Sequence, residues 1–228
     1  AFGYSLEEQT TEFVESKGGS VVGSVRHPLT NPDFSSFLLQ AQASGAKVIG
    51  LANAGLDTQN AIKQASEFGI VQSGQRLAAL LFTLAEVNGL GLEAAQGLSL
   101  TESFYWNRDE ASAEFGNRFM ERTGVMPNMV QAGTYSAVLQ YLKAVDAAGT
   151  DATEAVSAKL HEMPVDDVFA QGGTVGANGR LYKDVYLMEV KKPGDSDIPW
   201  DYYNVLQTIP GDQAYISPED SGCPLVNG

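Results

Sequence analysis

The chain has 228 residues, 43% of them apolar, which suits one large domain or two small ones with an ordinary packed core. Lys and Arg number 14 against 28 Asp and Glu, a formal net charge of -14, so the surrounding field repels phosphate backbones and lipid headgroups and argues against nucleic acid as a partner. No run reaches the ~18 apolar residues of a membrane span, so membrane insertion is not expected, and the single Cys223 allows neither an internal disulfide nor a cysteine metal site.

The opening AFGYSLEEQ has neither the basic nor the apolar region of a signal peptide and reads as mature, soluble sequence. Leu6, Phe13 and Val14 repeat at helical spacing until Gly18-Gly19 stops the helix, and SVVGSV then reads as a buried strand. Asn31-Pro32-Asp33 is a turn and N-cap, opening a helix whose apolar face carries Phe34, Phe37, Leu38 and Ala41 up to Gly45. KVIGLAN is the next strand, Asp57 caps the helix DTQNAIKQASEFG, and RLAALLFT is a third buried strand. Strand and helix alternate, and the strands are apolar on both faces, which predicts an α/β fold with a doubly wound parallel sheet. In such sheets the ligand lies beyond the carboxyl ends of the strands, here Ala52 to Asp57 and Phe82 to Asn88.

Beyond GLSLTESFYWNRDE, three helices are expected at about residues 110–123, 131–148 and 152–162. GTVGANGRLYKDVYLMEVKKPGDS reads as a hairpin feeding a strand, and WDYYNVLQTIPG as a last extended segment before a loop-rich tail. Within that tail Cys223 is either an inert thiol or half of a bridge to polypeptide outside this sequence.

Catalysis has no visible home. The two histidines, His27 and His161, are far apart and carry no motif, and G-x-S-x-G, H-E-x-x-H, C-x-x-C and the P-loop are all lacking. His27 reads as a loop residue before Pro28, and His161 as a cation favouring the end of a helix dipole. The loose dinucleotide match GLGLEA does not directly follow a strand and predicts no cofactor, while Glu7-Glu8 and Asp166-Asp167 read as solvated surface. No enzyme activity, cofactor or metal is expected.

Several ordered segments together resemble a known family. AFGYSLEEQTTEFVESKGGSVVG, DFSSFLLQAQASGAKVIGLANAG, GLEAAQGLSLTESFYWN and GRLYKDVYLMEVKKP with WDYYNVLQTIPG resemble the leucine/isoleucine/valine-type periplasmic solute-binding proteins of type I fold, across essentially the whole chain. The last two segments are similar to a subgroup linked to aromatic acids. The resemblance implies two α/β lobes joined by three crossovers that close on a small solute and hand it to an ABC-transporter permease in the membrane. It places residues 1–104 and 186–228 in lobe two and residues 105–185 in part of lobe one, with the rest of lobe one preceding this sequence. It also implies a periplasmic, monomeric protein that binds a small carboxylate.

Carried over position by position, the resemblance puts Phe2 where the family has a tyrosine facing the cleft, with Gly3 as its turn glycine. Ala54 and Gly55 fall at the end of the KVIGLAN strand where the family has a second aromatic, so more room is expected there, and Asn53 next to them is a further candidate ligand-binding residue. Phe82 and Thr83 stand where the family has a carboxylate for an amino-acid ammonium, with Glu86 shifted nearby. That favours an aromatic or apolar acid over an amino acid. Phe104, Tyr105 and Trp106 lie at the expected crossover, either stacking on a flat ligand or plugging a hinge. Independently of the family, the helix beginning near Gly55 and Asp57 offers a carboxylate its N-terminal N–H groups. An alternative is a ligand-sensing regulatory domain of the same fold, and a third reading is an enzyme whose catalytic residues lie outside this sequence.

Overall fold

The runs VIGL and RLAA each form a short strand, β1 (Val48–Leu51) and β2 (Arg76–Ala79). They pair in parallel, with Ile49 opposite Leu77 and Leu51 opposite Ala79. A third strand, β3 (Ser99–Glu102), adds to β2 in the same sense, with Ala79 opposite Leu100. Parallel pairing brings the carboxyl ends of all three to one edge of the sheet. The computed structural model describes residues 1–226.

Helices connect these strands as the alternation requires: α1 (Phe2–Ser16), α2 (Ser35–Ala43), α3 (Gly55–Glu67), α4 (Leu84–Leu90) and the single turn α5 (Leu92–Ala95). Thr58, Ala61, Ile62 and Ala65 of α3 repeat at helical spacing and are buried together with Leu38, Leu77, Phe82 and Leu84. Each large side chain among them contributes about 2 kcal/mol by leaving water.

One expectation about this region is corrected. Residues 20–25 form no strand, and Val21, Val22 and Val25 are exposed. A β-branched run favours an extended backbone, yet only a neighbouring strand makes it part of a sheet. In β1, Ile49 and Leu51 are buried and Val48 is 51% exposed. No residue of α1 is fully buried.

The chain divides into two units. Unit 1 comprises Ala1–Thr101 with Met188–Asn204, and unit 2 comprises Glu102–Leu187 with Val205 onward. Unit 2 holds α6 (Glu110–Thr123), α7 (Met129–Ala148), α8 (Thr153–Glu162) and a small hairpin of β4 (Thr174–Val175) and β5 (Leu181–Tyr182). The strands β6 (Val185–Val190) and β7 (Tyr203–Ile209) run through the unit boundaries, and the five-stranded order is β1-β2-β3-β6-β7.

Residues 205–226 group with unit 2. The reason is local packing: Gly211 lies so near the Lys183 backbone that a Cβ there would sit 2.7 Å from Lys183 N, the Tyr182 hydroxyl donates to Ile216 O, and Arg180 lies over the Tyr215 ring.

Sequence caps explain the unit 2 helices. Asp109 accepts from Ser112 N to open α6, and Gly124 closes it in the left-handed conformation. Asn128 and Gln131 form a capping box for α7, and Gly149 ends it. Two caps in unit 1 are displaced from expectation. Asp33 accepts from Ser35 N but precedes the N-cap Phe34, and Asp57 lies in the first turn of α3, whose N-cap is Ala54.

Candidate functional site

The carboxyl edge of unit 1 gathers four segments. Gly3, at the start of α1, approaches the end of β1 so closely that a Cβ there would stand 2.8 Å from Ala52 O. Only glycine fits that contact, and the adjoining Phe2 is 52% exposed. Asn53 follows β1, and its side chain is fixed from two directions. Thr58 Oγ1 donates to Asn53 Oδ1 at 2.8 Å, and Asn53 Nδ2 lies 3.1 Å from His27 Nε2.

Ala54 and Gly55 open α3 without a side-chain cap, and Gly55 has φ +61, a conformation that glycine adopts freely. The first-turn N–H groups therefore have no capping side chain, and the helix dipole adds partial positive charge. Asp57 is turned away from this role, since it is buried and its carboxylate accepts from Thr30 N at 3.1 Å.

The nominated residues after β2 have other surroundings. Phe82 is fully buried in the core. Thr83 is the N-cap of α4, and its backbone N–H donates to Glu86 Oε2 at 2.8 Å in a capping box. The sequence T-x-x-E carried that signal at its usual spacing, so Glu86 is engaged in holding the helix.

Tyr105 and Trp106 belong to unit 2, where both are buried with Phe104. Phe104 packs edge-on against Phe115 at 5.8 Å, and the Tyr105 and Trp106 rings meet at 6.3 Å. Trp106 Cβ also abuts Gly116.

His27 escaped sequence reasoning as a neighbour of Asn53 because 26 positions separate them and no motif links them. Lys183 was likewise unmarked. It is buried in unit 2, and its ammonium donates to Ser103 O at 2.5 Å and Asp184 O at 2.7 Å, with the Phe169 ring 4.4 Å away. Burial, aided by the nearby Arg108 charge, lowers its pKa to about 8. Arg108 bonds the Tyr186 hydroxyl, the Ser112 hydroxyl at 3.1 Å and the Asp109 carboxylate at 2.8 Å. Burial in turn raises the Tyr186 phenol above its ordinary value. These groups tie the segment entering unit 2 after Thr101 to the one leaving it before Met188.

A separate cavity of about 510 Å³ in unit 2 is lined by Gly172, Gly173, Tyr182, Asp184, Gly211 and Tyr215. None of the nominated residues lines it. Among the described residues there is no cluster of three or more His, Cys, Asp or Glu able to hold a metal, and no helix is long and apolar enough to cross a membrane.

A family model described as periplasmic binding protein matches residues 1–195. The chain belongs to that family. The periplasmic-binding-protein assignment agrees with solved structures. One such protein from Burkholderia mallei is 52% identical, with a TM-score of 0.91, covering 99% of this chain and 60% of its own. A branched-chain amino-acid ABC-transporter periplasmic ligand-binding protein from Burkholderia xenovorans is 41% identical, with a TM-score of 0.93 and the same 99% and 60% coverage. The chain thus spans 60% of the length of these two relatives.

The fold extends to an ABC-transporter solute-binding protein of Rhodopseudomonas palustris in complex with p-hydroxybenzoic acid, at 23% identity and a TM-score of 0.75, over 90% of this chain and 56% of that one. The type I α/β fold and the kinship with branched-chain amino-acid transporter binding proteins are therefore established for this chain. Comparison with proteins of curated function gives no match.

Proposed function

We propose that this chain is the solute-binding component of an ABC transporter, binding a small carboxylate at the carboxyl edge of unit 1 and delivering it to a membrane permease from the periplasm without chemical change. The observation that carries the reading is the start of α3: an N-terminus with no side-chain cap, opened by Ala54 and Gly55, beside the fixed amide of Asn53. N–H donors and a positive dipole end suit one carboxylate group. Phe2, half-exposed next to Gly3, offers an apolar face to the rest of the ligand.

Glu86, committed to its helix cap, is not presented as a free partner for an ammonium group. That favours an aromatic or apolar acid over an amino acid. In this reading the protein works as a monomer and uses no cofactor.

Thermal unfolding of the protein with a panel of 4-hydroxybenzoate, related aromatic acids, branched-chain amino acids and short carboxylates tests the proposal. A ligand present at ~100 times its Kd stabilises the folded state by about 2.7 kcal/mol. A flat response across the panel would overturn the reading, and recovery of chemically altered ligand would replace it with an enzyme.

A further inference from the structure

His27 stands in the loop between α1 and α2 with both ring nitrogens engaged. Its Nδ1 lies 2.8 Å from Pro28 O. A carbonyl only accepts, so Nδ1 carries a hydrogen. In the neutral ring Nε2 is then a bare lone pair, and what faces it at 3.1 Å must donate, which orients the Asn53 amide with Nδ2 towards the ring. On its other side the amide meets Thr58, whose hydroxyl serves equally as donor or acceptor. The histidine alone therefore decides which way the amide faces.

We propose that His27 is a positioning residue for carboxylate binding: in its neutral form it holds Asn53 with an amide N–H available at the start of α3, and protonation of its Nε2 turns that amide over. This rests on the proposed function for its biological meaning.

The balance of donors makes the argument. The Asn53 amide has two N–H bonds, of which His27 takes one. The side chain is partly exposed and immediately precedes α3, whose N-cap Ala54 makes no side-chain cap bond, and the proposal requires the second N–H to face solvent there. A proton arriving from solvent at Nε2 converts the acceptor into a donor. Asn53 then presents Oδ1 to the ring and Nδ2 to Thr58, whose hydroxyl rotates to accept. The position that offered an N–H now offers a carbonyl lone pair, which repels a carboxylate.

Phe34 and Phe37 meet the ring edge-on at 4.7 and 6.0 Å. Of the charged groups on the neighbouring segments, Asp57 accepts from Thr30 N, Asp33 accepts from Ser35 N, and Glu7 pairs with Arg26.

The test has two arms. With only two histidines in the chain, imidazole 15N–1H spectra of His161→Gln protein report His27 alone. The expected result is a protonated Nδ1 and bare Nε2 at neutral pH, with the Asn53 side-chain N–H signals shifting in step with His27 protonation. A protonated Nε2 at neutral pH, or Asn53 signals indifferent to the titration, overturns the proposal whether or not any ligand binds.

In the second arm, calorimetry with 4-hydroxybenzoate and L-leucine is run at about pH 7.5 and about pH 5.5. A binding probe loses roughly tenfold in affinity at the lower pH, the scale of one hydrogen bond to a charged group. His27→Gln, which keeps an acceptor near Nε2 but does not titrate, retains affinity and loses the pH dependence. His27→Phe weakens binding at both pH values. Equal pH dependence in wild type and His27→Gln overturns the role of His27, whereas binding of neither probe with the expected spectra overturns only the choice of ligand class.

Discussion

Lys183 supplies the sharpest stability prediction. The residue is 6% exposed and its ammonium is satisfied by two backbone carbonyls, yet burial lowers its pKa from 10.5 to about 8. In the unfolded chain the amine regains its ordinary pKa. Between about pH 8 and 10.5 the unfolded state therefore binds more protons, and stability rises with pH across that window. Below it the charged amine imposes a constant cost of about 3 kcal/mol, from ~1.4 kcal/mol per pKa unit.

Lys183→Met removes the titration. Urea unfolding of wild type and variant at about pH 7 and about pH 10 gives two stability differences, and comparing them cancels every other titrating group. The wild type should gain roughly 2–3 kcal/mol relative to the variant on going to the higher pH. Differences that agree within error at the two pH values would refute a charged lysine buried at this position.

Four further outcomes concern stability. Phe104→Ala, at a ring 1% exposed, costs about 3–5 kcal/mol in urea unfolding, while a loss under ~1 kcal/mol would show that the ring is not core. Asp201→Asn strands the Lys191 ammonium, now 2.6 Å from the carboxylate, and costs about 3 kcal/mol, whereas Lys191→Met with Asp201→Leu restores most of it. Gly116→Ala lowers the melting temperature because the new methyl meets Trp106 Cβ at 2.9 Å, a strain of ~1–3 kcal/mol that outweighs the helix preference for alanine. Gly89→Ala in α4 has no heavy atom within 4 Å and raises the melting temperature by the propensity gain alone.

Legibility followed the range of the interactions. The helices of unit 2 could be read closely because their caps, Asp109, Gly124, Asn128 and Gly149, are local signals. The strand β3 could not, since SLTE is short and half polar and becomes a strand by pairing with β2. SVVGSV misled in the opposite direction, having the composition of a strand without a neighbour. The topology of alternating strands and helices directs attention to Ala52 to Asp57 and Phe82 to Asn88, beyond the carboxyl ends of two strands. The pairing of His27 with Asn53 is a tertiary contact between loops, invisible to period or motif. Thr83 and Glu86 form a capping box that is legible in the sequence as T-x-x-E.

The division of the chain has a consequence during synthesis. Unit 1 is interrupted after Thr101 and resumes only at Met188, so β3 waits for β6 while 86 residues of another unit emerge. At ~5–20 residues per second that delay lasts several seconds, long compared with the collapse of a small chain. The nascent sheet, with β1 and β2 already paired but its later strand missing, is therefore the stage at which a chaperone would have most to protect.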